Sequence, residues 1–313
     1  MIETPITDKA SWLELRAQDV TSTEVSALYG LSPYMTEYEL FFRKRDTQIV
    51  EIPDNERMLW GRRLEASIAA GAAETMGWEI TPFHTYCRIP DARIGSSFDF
   101  RIVGGCEQPA ILECKNVDSR VFDKTWTDDG AGNVEAPNHI ELQIQHQMEV
   151  AGIDLCFIAV LVGGNRQVIV RRERDPEIGE DIRFHVAAFW ARVAANDPPK
   201  PDFVADAEFI IHRLRESTEG LIAQSDPELD ALIENYAHVT GEAKALDELK
   251  DSVKAQILSR IGAASKIISP LGSVSCGTTK DSLGTIITPD MVGTFTGARK
   301  GYRQFRFTPK KGS

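Results

Sequence analysis

Apolar positions change their repeat several times along the chain, and the changes mark out its elements. In TSTEVSALYG (21–30) a Ser/Thr start, an early acid and a closing glycine predict a short capped helix. A turn at Ser32-Pro33 precedes a second helix carrying Leu40, Phe41 and Phe42. Residues 57–76 place Leu64, Ile68 and Ala72 four apart, the spacing of one helix face, and Gly77 closes the run. The repeat then shortens to two. Residues 79–90, 92–105 and 110–118 read as three strands, with turns at Pro90-Asp91 and Gly104-Gly105.

A stretch rich in Gly, Asp and Asn follows and reads as irregular. Ile140, Ile144, Met148 and Ala151 then predict a helix over HIELQIQHQMEVAG (139–152). Two strands around Gly163-Gly164 come next, then a helix from about Ile178 to Ala195 with Ile182, Val186, Phe189 and Val193 on one face. The order αα-βββ-α-ββ-α describes an α/β fold, a mixed sheet flanked by helices. ANDPPKPDF (195–203) is a proline-rich joint, which divides the chain into a domain at 1–205 and an extension at 206–313. In the extension Ser225-Asp226-Pro227 caps a run of apolar residues spaced three or four apart through position 261. That run forms one long helix, or a hairpin if Gly241 divides it.

Composition narrows the class. Of 313 residues 42% are hydrophobic and 26% charged, the balance of a globular protein with a real core. No apolar run approaches the roughly 18 residues of a membrane helix, and the N-terminus shows no secretion signal. The five cysteines stand singly, which suggests neither a disulfide framework nor a zinc knuckle and fits a reducing cytoplasm. They also disfavour an iron–sulfur nuclease, which needs four cysteine ligands. The net charge of −12 argues against a generally basic nucleic-acid domain. Basic residues nevertheless cluster at Arg171, Arg172 and Arg174, and again at Arg299, Lys300, Arg303, Arg306, Lys310 and Lys311. Local potential matters more than the sum.

The candidate chemistry lies in the strands. Asp99 ends SSFDF, and Glu113 and Lys115 stand in AILECKN. Alternation puts Glu113 and Lys115 on one face with Cys114 opposite. A hairpin through Gly104-Gly105 brings Asp99 beside Glu113. Two adjacent carboxylates repel unless a cation lies between them, and hard oxygen ligands suit Mg²⁺ or Mn²⁺. A lysine there can orient or deprotonate an attacking water. Taken as bare spacing, Asp, then Glu-x-Lys, is equally a surface ion pair on a solvated strand.

The flanking blocks carry a resemblance. RAQDVTSTEVSALYGLSPYMTEYELFFRK (16–44), GRRLE (61–65), SSFDF, ILECK and HIELQIQHQMEVAG stand in the order of the lambda-exonuclease or YqaJ-type viral recombinase family, a branch of the PD-(D/E)XK nucleases. The likeness covers about residues 10–195, and Tyr302 to Arg306 resembles a short terminal strand of phage members. It implies a PD-(D/E)XK nuclease core and an enzyme that degrades one strand of linear double-stranded DNA from its 5′ end. A 3′ overhang is left for recombination by a single-strand annealing protein. It also implies Mg²⁺, with Mn²⁺ able to substitute and two ions per site, a trimeric ring, and a phage- or prophage-encoded protein in a bacterial cytoplasm.

By the same resemblance Asp99, Glu113 and the Cys114 backbone carbonyl would hold metal, with Glu65 a direct or outer ligand. Lys115 would be the catalytic lysine, and Gln143 would close the site from its helix. Arg16 and Thr23, with Ser22 beside them, would form a pocket for the 5′-terminal phosphate, which suits a guanidinium fork and a hydroxyl. Phe98 stands where the family usually has proline. The alternatives are a non-catalytic DNA-end binding or structural module, and a site-specific endonuclease of the same fold. Residue by residue, Arg16 could pair with Glu14 or Asp19, and Glu65 could be an exposed helix acid. Gln143, Gln147, His139 and His146 could form a solvated or groove-facing polar stripe.

Overall fold

The structure is a computed structural model that describes residues 1–47, 55–130 and 133–278. It comprises two compact units, Met1–Ile210 and the chain from Ile211 onward. The first begins with β1 (Ile2–Pro5), α1 (Lys9–Gln18) and β2 (Val20–Thr21). A 3₁₀ turn at Val25–Tyr29 ends on Gly30 in the left-handed region, at φ 65°. It replaces the α-helix expected over 21–30, because five residues close only a tight turn. Helices α2 (Glu37–Arg45) and α3 (Glu56–Met76) follow, capped by Thr36 and Asn55.

The three expected strands become five: β3 (Glu79–Pro82), β4 (Thr85–Ile89), β5 (Ile94–Ser96), β6 (Phe100–Gly104) and β7 (Ala110–Val117). They also serve two sheets rather than one. Beyond them lie α4 (Ser119–Thr125), β8 (Thr127–Asp128), β9 (Val134–Glu135) and α5 (Asn138–Ala151). Then come β10 (Leu155–Val162), β11 (Arg166–Glu173), α6 (Pro176–Ala195) and α7 (Ala207–Arg213). The stretch read as irregular thus holds a short helix and a β8–β9 pair.

The larger sheet runs β11-β10-β7-β6-β3, antiparallel except where β7 and β10 pair in parallel. A smaller sheet, β1-β4-β5-β2, includes the N-terminal strand that the hydrophobic pattern did not disclose. Between β3 and β6 the chain crosses between the sheets twice, after Pro82 and after Ser96. Phe83 and Phe98 mark the crossings and stack on each other, centroids 4.5 Å apart and planes 19° from parallel. Phe98 is therefore a packing residue, and Phe83 N–H donates to the Asp99 carbonyl at 3.0 Å.

Alternation along β10 builds both faces of the core. Cys156, Ile158, Val160 and Val162 pack with Ile140, Ile144 and Met148 of α5 and Ile182, Val186 and Phe189 of α6. Leu155, Phe157 and Ala159 pack with Ile68, Ala69 and Ala72 of α3. Close approach fixes one turn, since a Cβ on left-handed Gly105 would lie 2.1 Å from the Gly77 carbonyl oxygen.

In the second unit α8 (Pro227–Ile261) runs 35 residues without a break at Gly241. At 1.5 Å per residue that is about 52 Å. A hairpin of β12 (Lys266–Ser269) and β13 (Gly272–Ser275), which the hydrophobic pattern did not disclose, follows it. The expected strand at 302–306 and the basic residues 299–311 lie outside the described residues. Among the described residues no helix is long and apolar enough to cross a membrane. All five cysteines are free, with Cys87 and Cys156 fully buried.

Candidate active site

Strand register brings the two carboxylates together. β6 pairs with β7 through Phe100–Leu112 and Ile102–Ala110, so Asp99, one residue before β6, falls opposite Glu113. The Cys114 N–H donates to Asp99 Oδ2 at 2.8 Å. Glu113 and Lys115 share the α5 side of the sheet, while Cys114 packs in the cluster around α3. Lys115 Nζ donates to Glu113 Oε1 at 2.6 Å and to Gln143 Oε1 at 3.2 Å. Gln143 returns its Nε2 to Glu113 Oε1 at 2.7 Å. Glu113 is buried, and the second oxygen, Oε2, accepts from Gln147 Nε2 at 2.8 Å.

Gln147 is a residue whose part sequence reasoning missed. Its Nε2 also reaches the Ser97 carbonyl at 3.4 Å, and its buried Oε1 has no partner. The signal was available: Gln143 and Gln147 stand one helical turn apart, so both can grip one carboxylate.

The electrostatics are those of crowded negative charge. Loss of solvent and then the neighbouring Glu113 hold the Asp99 carboxyl well above its ordinary range. Glu65, half-buried on α3, is raised by the same two causes. Burial works against the Lys115 ammonium, but Glu113 and Asp99 outweigh it and hold its pKa above the usual lysine value. One lysine thus faces three carboxylates. Among the described residues no group of three or more His, Cys, Asp or Glu side chains forms a ready-made metal cluster. The fit to a hard divalent cation rests instead on the Asp99–Glu113 pair, whose mutual repulsion a cation between them would relieve. Main-chain oxygen and Glu65 would complete such a shell.

The Arg16 group forms a second cluster. Arg16 donates to Thr23 Oγ1 at 3.1 Å and to Thr21 Oγ1 at 3.2 Å, and its guanidinium lies 4.8 Å from the Trp12 ring centroid. Thr21 was not foreseen. Ser22 turns away into the core, where its Oγ accepts from Ser96 Oγ at 2.9 Å. Arg16 does not pair with Glu14 or Asp19: Asp19 is held by Arg88 at 2.7 Å, and Arg16 acts on Glu24. Despite burial, Lys44 at 2.8 Å and then Arg16 pull the Glu24 carboxyl down to about 2. Ser97 links the two clusters, its Oγ receiving Trp12 Nε1 at 3.4 Å and its carbonyl receiving Gln147.

Two expectations fail. The stripe of His139, Gln143, His146 and Gln147 is not solvated, since Gln143, His146 and Gln147 are buried and His139 is half-buried. His146 Nε2 pairs with the Val20 carbonyl at 3.2 Å, and burial drops its pKa to about 4. Nor are Arg171, Arg172 and Arg174 free cations for DNA. They pair with Glu107 and Glu173, with Glu141, and with Asp154 and Glu149 respectively.

Comparison with known proteins gives this geometry a family. Residues 11–154, which contain both clusters, match the model of the YqaJ-like viral recombinase domain. This stretch belongs to the YqaJ-like family. A protein of Bacillus subtilis (strain 168) named YqaJ is 29% identical over 212 residues, 66% of this chain. The match spans 64% of the length of that curated relative. The fold of the YqaJ-like domain is that of an alkaline exonuclease from Laribacter hongkongensis, at 19% identity and TM-score 0.50, covering 60% of this chain and 94% of that one. The same exonuclease in complex with dAMP gives 18% identity and TM-score 0.51, with 66% and 97% covered.

Proposed function

We propose that the chain is a metal-dependent exonuclease that degrades one strand of linear double-stranded DNA from the 5′ end. What carries the reading is the meeting of Asp99, Glu113 and Lys115 within a YqaJ-like domain: two opposed carboxylates with a lysine 2.6 Å from one of them. Asp99 and Glu113, with the Cys114 carbonyl and Glu65, would hold the metal. Bound there, Mg²⁺ (or Mn²⁺), two ions per site, supplies charge for the attacking and leaving oxygens of an in-line displacement. Lys115 orients the attacking water and offsets phosphate charge. Gln143 and Gln147 fix Glu113 so that its oxygens do not swing away from the cation.

Arg16, with Thr21 and Thr23, takes the 5′-terminal phosphate, which selects the end that enters. The product is a 3′ overhang, the substrate of a single-strand annealing protein in phage-type recombination. A trimeric ring around DNA accommodates the net charge of −12, since only its channel needs positive potential.

Linear duplex DNA incubated with the full chain in Mg²⁺ tests the reading. Nucleotides are released by wild type, and Lys115→Ala lowers the rate at least about 10²-fold, the scale of a lost acid–base or charge-stabilising group, with DNA binding retained. Wild-type rates in Lys115→Ala would sink the assignment of the centre.

A further inference from the structure

Beside the candidate centre stands a side chain that neither cluster uses. Tyr34 is 79% exposed, although the loop that carries it is anchored. Ser32 Oγ accepts the backbone N–H of Tyr34 at 3.2 Å and of Met35 at 3.3 Å, and Met35 packs on the core. A single exposed aromatic is ordinary on a protein surface. What distinguishes Tyr34 is its surroundings. Its ring meets His139 at 5.9 Å and 84°, an edge contact that leaves most of the tyrosine open to solvent. His139 precedes Gln143 by one turn of α5, and Gln143 Oε1 receives the Lys115 ammonium. Tyr34 and His139 each act electrostatically on, or feel, Lys115. Burial and then that ammonium lower the His139 pKa, which keeps the imidazole a neutral aromatic partner.

A flat, exposed ring whose partner His139 stands one helical turn from Gln143, the residue that receives the Lys115 ammonium, fits a planar, uncharged, aromatic ligand group. We propose that Tyr34, held edge-to-face by His139, stacks on a nucleobase of the strand whose phosphodiester lies at Lys115. The stack sets the depth to which the strand is drawn in, without reading its sequence, because every base has an aromatic face. This inference rests on the nuclease reading above and adds a positioning residue to it.

The test uses the full chain in Mg²⁺ with duplexes that carry normal nucleotides or an abasic analogue at either of the two 5′-terminal positions. With normal ends, Tyr34→Ala raises KM about 5- to 150-fold, the span of one base–aromatic stack, while kcat changes less. Tyr34→Phe keeps wild-type KM. On the abasic substrate that lacks the stacked base, wild type and Tyr34→Ala converge, which a merely structural defect would not produce. Equal losses on normal and abasic ends, or a Tyr34→Phe variant as weak as Tyr34→Ala, overturn the stack while leaving the nuclease standing. No cleavage by wild type overturns both.

Discussion

Two part-buried charge clusters lie on either side of Ser97, and they are unbalanced in opposite directions. Around Glu113, three carboxylates face one ammonium. Around Glu24, the guanidinium groups of Arg16 and Arg88 and the Lys44 ammonium face two carboxylates, Glu24 and Asp19. In the first, loss of solvent and then the charge of Glu113 raise Asp99 and Glu65. In the second, Lys44 and then Arg16 draw Glu24 down to about 2 despite its burial, while burial outweighs Arg88 at Asp19 and raises it. A fold can bury a balanced set at modest cost, whereas a surplus of one sign invites a counter-ion. The surplus negative side suits a divalent cation and the surplus positive side a phosphate, so one domain offers complementary seats for a metal and a DNA end.

The largest effect should come from removing the cation closest to Glu24. Lys44→Met leaves Glu24 buried without its closest cation and should cost about 3–5 kcal/mol at pH 7, read from urea unfolding midpoints. The loss depends on pH. Glu24 has a depressed folded-state value, so its contribution is full above the ordinary carboxylate range and disappears as pH falls toward about 2. In the variant the penalty should therefore shrink below about pH 4, where Glu24 takes a proton. A penalty under 1 kcal/mol, or one indifferent to pH, would break the claim that Lys44 holds Glu24 in its charged form.

The opposite response is expected across Ser97. Asp99 has a folded-state pKa above its unfolded value, so metal-free stability is full below the ordinary carboxylate range, about pH 4, and declines as pH rises through the raised value. Asp99→Asn removes that decline, leaving a variant more stable than wild type at pH 8 without metal and inactive as a nuclease. Mg²⁺ at about 100 times its Kd should stabilise wild type by about 2.7 kcal/mol, seen as a higher Tm, and Asp99→Asn far less. Equal Mg²⁺-induced shifts in both proteins would remove the metal from this pair of carboxylates.

Arg16→Ala sharpens the comparison by function. Losing a charge-assisted fork should erase about 1.5–3 kcal/mol of preference for 5′-phosphorylated over unphosphorylated ends, roughly tenfold or more in relative kcat/KM. Lys115→Ala instead slows both ends alike. If Arg16→Ala degrades the two ends at wild-type ratios, the positive cluster is structural and the phosphate binds elsewhere.

How much of this was legible depended on how local each feature is. The Asp99–Glu113 opposition followed from a period of two and a glycine turn, both written in consecutive residues. Gln143 was reached only through the family resemblance of its helix block, since periodicity alone left it in a polar stripe. The split of 79–90 between two sheets did carry a signal, Pro82, that went unread. The splitting of 92–105 was illegible, because no glycine or proline marks Phe98-Asp99 and the crossing depends on the distant Phe83 ring. The Arg171–Arg174 group misled for the same reason: Glu107, Glu141, Glu149 and Asp154 come to it from other elements. A helical wheel likewise cannot separate a buried polar face from a wet one. On α5 the difference lies in Val20, Glu113 and Glu173, which meet His146, Gln147 and Gln145 from elsewhere in the fold.

Phe98 joins the two regions, and its replacement should have the smallest and most even effect. Ser97 before it contacts the Trp12 side and Gln147, and Asp99 after it faces Glu113. The stack on Phe83 and the Phe83 N–H bond to the Asp99 carbonyl hold all three residues in place. Phe98→Leu keeps the apolar volume but loses the ring contact, which costs about 0.5–1.5 kcal/mol of stability. Both sites should then loosen together, with a few-fold fall in kcat/KM and an unchanged preference between phosphorylated and unphosphorylated ends. A variant that keeps its rate but loses end preference would show that the crossing serves the Arg16 side alone. One that keeps its preference with a drop as large as that of Lys115→Ala would place Phe98 in the catalytic centre rather than beneath both sites.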